Sequence, residues 1–121
     1  MFKFATALWL ASLSFCAFSQ NHCQEIDKEI RSIHLQVDQI KIPQIKYVPD
    51  EYNCSLVEPV LATTYEIRAH FTDLLELYEK MYFDCGKNVE LIYKMEDIKV
   101  NIEMLTTLTS LVKNLDQQCN R

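Results

Sequence analysis

A chain of 121 residues with 17 acidic and 12 basic side chains, a net charge of −5, is sized for one domain. Its charge is the wrong sign for nucleic acid or an anionic membrane, both of which select clustered Lys and Arg. With one glycine in the whole sequence, it also lacks the means to build glycine-rich phosphate loops.

The opening stretch "MFKFATALWLASLSFCAFSQ" sets one basic residue, Lys3, before an apolar run from Phe4 to Phe15, then small residues at Ala17 and Ser19. This is the layout of a secretory signal peptide cleaved after Ser19, and the run is shorter than the roughly 20 apolar residues that span a bilayer. The reading divides the chain into a signal segment, residues 1–19, and a helical bundle domain, residues 20–121, with no membrane insertion after signal removal. Losing Lys3 leaves 11 basic against 17 acidic residues, a formal −6. Cys16 leaves as well, so Cys23, Cys54, Cys85 and Cys119 remain. Four cysteines in a secreted chain of this size read as a disulfide framework that supports a marginal core.

From Cys23 to Ile42, Ile26, Ile30, Ile33, Val37 and Ile40 recur at steps of four and three, the spacing of an amphipathic helix. Pro43 ends it. The segment "IPQIKYVPDEYNCSLVEP" then carries prolines 43, 49 and 59, and Ile45 and Tyr47 alternate with polar neighbours. That alternation predicts a short extended piece within a crossover connection. The crossover also contains the sequon Asn53-Cys54-Ser55, which permits a glycan at Asn53 in a secreted glycoprotein, although early pairing of Cys54 would hinder attachment.

A second helix is expected to start at Pro59, where a missing N–H costs nothing. Val60, Ile67, Phe71, Leu74, Tyr78 and Met81 supply its stripe, widened by Leu61, Leu75 and Tyr82. It is expected to stop at Gly86 in a left-handed terminus, with Asn88 capping the next helix. The third helix runs from about Val89 to Gln118, with Leu91, Met95, Ile98, Ile102, Leu105, Leu108, Val112 and Leu115 on one stripe. The fold class is therefore all-α, a disulfide-clamped bundle of three long helices with one crossover loop.

Two arrangements satisfy these elements. In an up, down, up bundle, Cys23 and Cys85 share one end and Cys54 and Cys119 the other. In a bundle whose first two helices are parallel, Cys85 is stranded, because a bond needs Cα atoms within about 7 Å. Four cysteines allow three connectivities, and the favoured one is Cys23 with Cys85 and Cys54 with Cys119.

Chemistry is sparse along the chain. Neither H-E-x-x-H nor C-x-x-C nor G-x-S-x-G occurs, so no catalytic, cofactor-binding or metal-binding residues are assigned and enzyme activity is not expected. His22, His34 and His70 are scattered and read as ordinary surface or partly buried residues. The pairs Glu25 with Glu29 and Glu76 with Lys80 read as solvated helix faces.

The signal segment, the opening "CQEIDKEI", the crossover "IKYVPDEYNCS", the following "FTDLLELYEKM" and the closing "DQQCNR" together resemble the short-chain helical cytokines, of the interleukin-4/13 and stem-cell-factor kinds. First-to-third and second-to-fourth cysteine pairing in the latter is similar to the pairing favoured above. The chain departs from the family in showing one crossover and no fourth helix. The resemblance implies a secreted growth-factor or immune-signalling ligand that binds single-pass cell-surface receptor ectodomains through exposed helix faces. The outward residues are Glu25, Lys28, Glu29, Arg31 and Gln36 on the first helix, and Lys94, Asp97, Asn101 and Lys113 on the third. Taken singly, each is more simply a solvating residue. A homodimer is compatible with the pattern.

The alternative is a secretoglobin-like carrier of small apolar molecules, with a cavity lined by Phe71, Tyr78, Met81, Tyr82, Phe83, Met95 and Met104. Against it stands the simpler reading that such residues at helical spacing fill a core.

Overall fold

The computed structural model describes the backbone of residues 2–120 and the side chains of residues 20–120. The expected signal segment, residues 1–19, lies outside the residues with described side chains. The described residues form four helices: α1 (Phe2–Gln39), α2 (Glu51–Ser55), α3 (Val57–Cys85) and α4 (Val89–Cys119). No strand occurs among the described residues.

Helix α1 stops before the expected Ile42. Ile42 precedes Pro43, whose ring disfavours helical backbone in the residue before it, and the last turn closes with Ile40 N donating to Val37 O at 3.1 Å. The alternating Ile45 and Tyr47 form no strand, because no neighbouring chain segment offers a ladder. What the crossover contains instead is α2. Asp50 caps it, its carboxylate accepting from Asn53 N at 2.7 Å while its carbonyl accepts from Cys54 N at 2.9 Å. Helix α3 consequently begins at Val57, two residues earlier than expected, and Pro59 sits in its first turn, where a missing N–H breaks no helical bond.

Helix α3 is the central element and packs against both α1 and α4. Residues that meet across the helices fix the directions. His22 meets Asp84 and His34 meets Tyr78, so α1 and α3 are antiparallel. Lys94 lies over Tyr78 and Lys113 over Tyr65, so α3 and α4 are antiparallel too. Cys23 is bonded to Cys85 and Cys54 to Cys119, with Cα atoms 5.8 and 5.7 Å apart. One bond ties each end of the bundle, as the up, down, up arrangement requires.

The core has two parts. Ile26 and Ile30 of α1, Leu74, Leu77 and Tyr78 of α3, and Ile98 of α4 bury one another in the first. Val57 and Val60 of α3 with Val112 and Leu115 of α4 make the second, to which no described side chain of α1 contributes; Ile45 of the crossover and Cys119 pack on it instead. The buried threonines Thr64 and Thr109 lie along the same hairpin, each donating its hydroxyl to the carbonyl four residues earlier, Val60 and Leu105, at 2.7 and 2.8 Å. That back-bonding lets a polar side chain sit in a helix core without an orphaned group.

Gly86 corrects one expectation. Its φ of 117° is positive, but ψ is 134°, so it lies outside the left-handed helical region that Asn tolerates. An added Cβ would meet nothing within 4 Å, so the cost of a substitution is in the backbone alone. Gly86→Val and Gly86→Asn are both expected to destabilise by about 1–3 kcal/mol. Denaturant titration decides the point: an Asn variant as stable as the parent would put residue 86 in the ordinary left-handed terminus. Asn88 caps α4 as expected, accepting from Glu90 N at 2.9 Å.

Candidate functional site

All nine polar residues marked on the first and third long helices are exposed. Their arrangement is not one continuous face. By helical spacing Glu25, Glu29 and Gln36 share a flank of α1, while Lys28 and Arg31 point away from the bundle. Arg31 reaches one turn back to Asp27 at 3.0 Å, an exposed pair of little energetic consequence. Glu29 and Ile33 border a cleft of about 250 Å³ with Asp73, Glu76, Leu77 and Lys80 of α3.

Three of the α4 residues do converge. Lys94, Asp97 and Asn101, at steps of three and four, line a shallow groove of about 220 Å³ together with His34 of α1, Phe71 and Tyr78 of α3, and Ile98. His34 Nε2 lies 3.0 Å from the Tyr78 hydroxyl, and the two rings meet edge to face. Burial, with the charge of Asp27 adding to it, holds the Tyr78 phenol above its ordinary value, so it is a neutral hydrogen-bonding group at physiological pH. Lys94 Nζ stands 5.8 Å from the centre of the Tyr78 ring. Asn101 donates to the carbonyl of Asp97 at 3.0 Å, which fixes its orientation along the helix. The sequence reads His34 as an ordinary surface or partly buried residue and Tyr78 as part of an inward stripe, and assigns neither to a binding surface. The signal available was the polar end of Tyr78 inside an otherwise apolar stripe; His34, beside the α1 stripe, offers none. Lys113 is separate, at the far end of α4, where it and Arg68 flank the ring of Tyr65.

The other histidines stay local. His22 pairs with Asp84 at 3.1 Å beside the Cys23–Cys85 bond, and His70 lies 4.0 Å from Glu66 one turn away. Among the described residues, no cluster of His, Cys, Asp and Glu has the makings of a metal centre, and no helix is long and apolar enough to cross a membrane.

Asn53, the sequon residue, is only 4% exposed. Its side-chain oxygen accepts from Lys46 N at 3.0 Å and so ties the crossover to α2. A sugar on an asparagine this enclosed displaces the loop that covers it. The fold thus gives Asn53 a structural task, that of holding the crossover against α2.

The residues of the alternative cavity do not gather round one space. Tyr78 is buried, Phe71, Met81 and Met95 pack on the first core cluster, and Phe83 and Met104 face solvent. The groove that Phe71 and Tyr78 border, about 220 Å³, is smaller than the roughly 300–1,000 Å³ of sites that enclose small molecules. No protein family, curated protein or solved structure matches the chain.

Proposed function

We propose that the chain is a secreted, cytokine-like or growth-factor-like ligand that binds a single-pass receptor ectodomain through its helix faces. The observation that carries this reading is the groove at which Lys94, Asp97 and Asn101 meet His34 and Tyr78. It sets exposed charged, amide and imidazole groups of α1 and α4 over the buried Tyr78 and half-buried Phe71 of α3 on one open surface, the composition of a protein-binding anchor rather than of an enclosed site. Two disulfides fit the oxidising compartment such a ligand meets, and they hold the three helices in fixed register.

Two double substitutions test it. Glu29→Lys with Arg31→Glu alters α1, and Lys94→Glu with Asn101→Lys alters the groove. Each is expected to change stability by less than about 1 kcal/mol, since all four positions are exposed. Binding to responsive cells is expected to fall roughly tenfold or more for the groove variant, because charge placed against a complementary patch costs several kcal/mol when desolvated. Binding by both variants at the strength of the parent would remove these faces from the interface and sink the reading.

A further inference from the structure

Helix α4 carries a second apolar stripe, on the side opposite its core. Val89, Tyr93, Val100, Met104 and Leu111 follow one another at steps of four, seven, four and seven, which places them along one line of the helix. All five face solvent; Val100 is 52% exposed and Met104 63%. From Val89 to Leu111 the ridge is about 33 Å long at roughly 1.5 Å per residue. A solvated helix face carries scattered apolar residues, not a line of them, and contiguous exposed apolar surface marks interaction sites.

The borders of the ridge are acidic. Glu96 and Glu103 flank it on one side, Glu90 and Asp97 on the other, by their angular positions on the helix. The lysines of α4 do not neutralise it. Lys94 and Lys113 lie over the rings of Tyr78 and Tyr65 on α3, and Lys99 sits 3.6 Å from Glu96 alone. Glu90, Asp97 and Glu103 form no ion pair among the described residues.

We infer that this ridge docks a protein partner that presents apolar contact residues bordered by Lys and Arg. The inference rests on the receptor-ligand reading and adds to it the chemistry of the partner and a second contact face, joined to the groove through Asp97. Charge selects the occupant. A second copy of the chain, paired antiparallel about Val100, brings Glu96 beside Glu103 of that copy on a desolvated rim, and a parallel pair sets one acidic border against the other. An anionic lipid surface meets the same repulsion.

The test uses the full secreted chain and two synthetic helices of about four heptads, identical in their leucine stripe but flanked by Lys in one and by Glu in the other. The Lys-flanked helix is expected to bind the parent protein and the Glu-flanked helix not. Val100→Glu with Met104→Glu makes the protein more acidic, so non-specific attraction of a cationic peptide rises while docking on the ridge is lost. At least roughly tenfold weaker binding by this variant is expected, with unchanged melting. Equal or stronger binding overturns the inference. So does self-association of the parent in sedimentation that the variant abolishes, which assigns the ridge to a second copy, or parent binding to phosphatidylserine vesicles. On responsive cells, a ridge variant that binds normally while the groove variant fails overturns the ridge and leaves the receptor reading intact. Ridge-dependent peptide binding by a protein that binds no cell does the reverse.

Discussion

Truncating Leu74 to alanine is expected to lower the unfolding free energy by about 2–5 kcal/mol, a large share of the roughly 5–15 kcal/mol that stabilises a small domain. Leu74 is 0% exposed at the centre of α3, where it meets α1 on one side and α4 on the other through the cluster of Ile26, Ile30 and Ile98. Removing its branched end leaves a cavity that three helices must share, and two helices fixed by the Cys23–Cys85 bond have little freedom to close it. Phe71→Ala is the informative comparison. The periodicity marks Phe71 as inward, yet its ring is half-buried and borders the groove, so water replaces part of what is lost. Urea titration of both variants checks the order. A Phe71→Ala protein less stable than Leu74→Ala would move the centre of the core toward α1.

The second large effect is expected from the lower disulfide. Replacing Cys54 and Cys119 together by serine removes a bond that closes a long loop, and a loss of about 2–4 kcal/mol follows. Its consequence is local as well as global. Helix α1 does not shield the cluster of Val57, Val60, Val112 and Leu115, so the crossover and α2, anchored by Cys54, are its cover. In the serine variant, hydrogen exchange is expected to accelerate at residues 57–64 and 109–119 while residues 71–81 keep their protection. Uniform acceleration along α3 would show that the two core clusters open as one unit.

The three long helices were legible because each apolar stripe repeats through several turns: Ile26 to Val37, Val60 to Tyr78, Ile98 to Leu115. The end-to-end pairing of cysteines was legible because, of the two arrangements the helices allow, only up, down, up gives every thiol a partner. Helix α2 was missed because three prolines and an alternating Ile-Tyr pair dominate the crossover, while its one positive signal is Asp50 followed by an acidic first turn. Thr64 and Thr109 were missed because their hydroxyls are satisfied by their own helices, which no hydropathy pattern reports. Met104 was misplaced for a different reason. Two apolar stripes on opposite faces share one period, so spacing alone cannot say that Met104 belongs to the solvent side rather than to a cavity. For the surface, the sequence marked Lys94, Asp97 and Asn101 but not the partners His34 and Tyr78, which come from helices distant in the chain.

The interleaved order of the disulfides bears on what proteases can do to this molecule. Its connections are the residues between Gln39 and Glu51 and the three between Cys85 and Val89. A cut in the first leaves α1 bonded through Cys23 to Cys85, and a cut in the second leaves α4 bonded through Cys119 to Cys54. Both cysteines that accept these bonds stand on the middle piece, so even a doubly nicked chain remains one covalent body with α3 as its hub. A single cleavage at each of these connections therefore releases no helix, and the outward faces of α1 and α4 outlast the continuity of the backbone that made them.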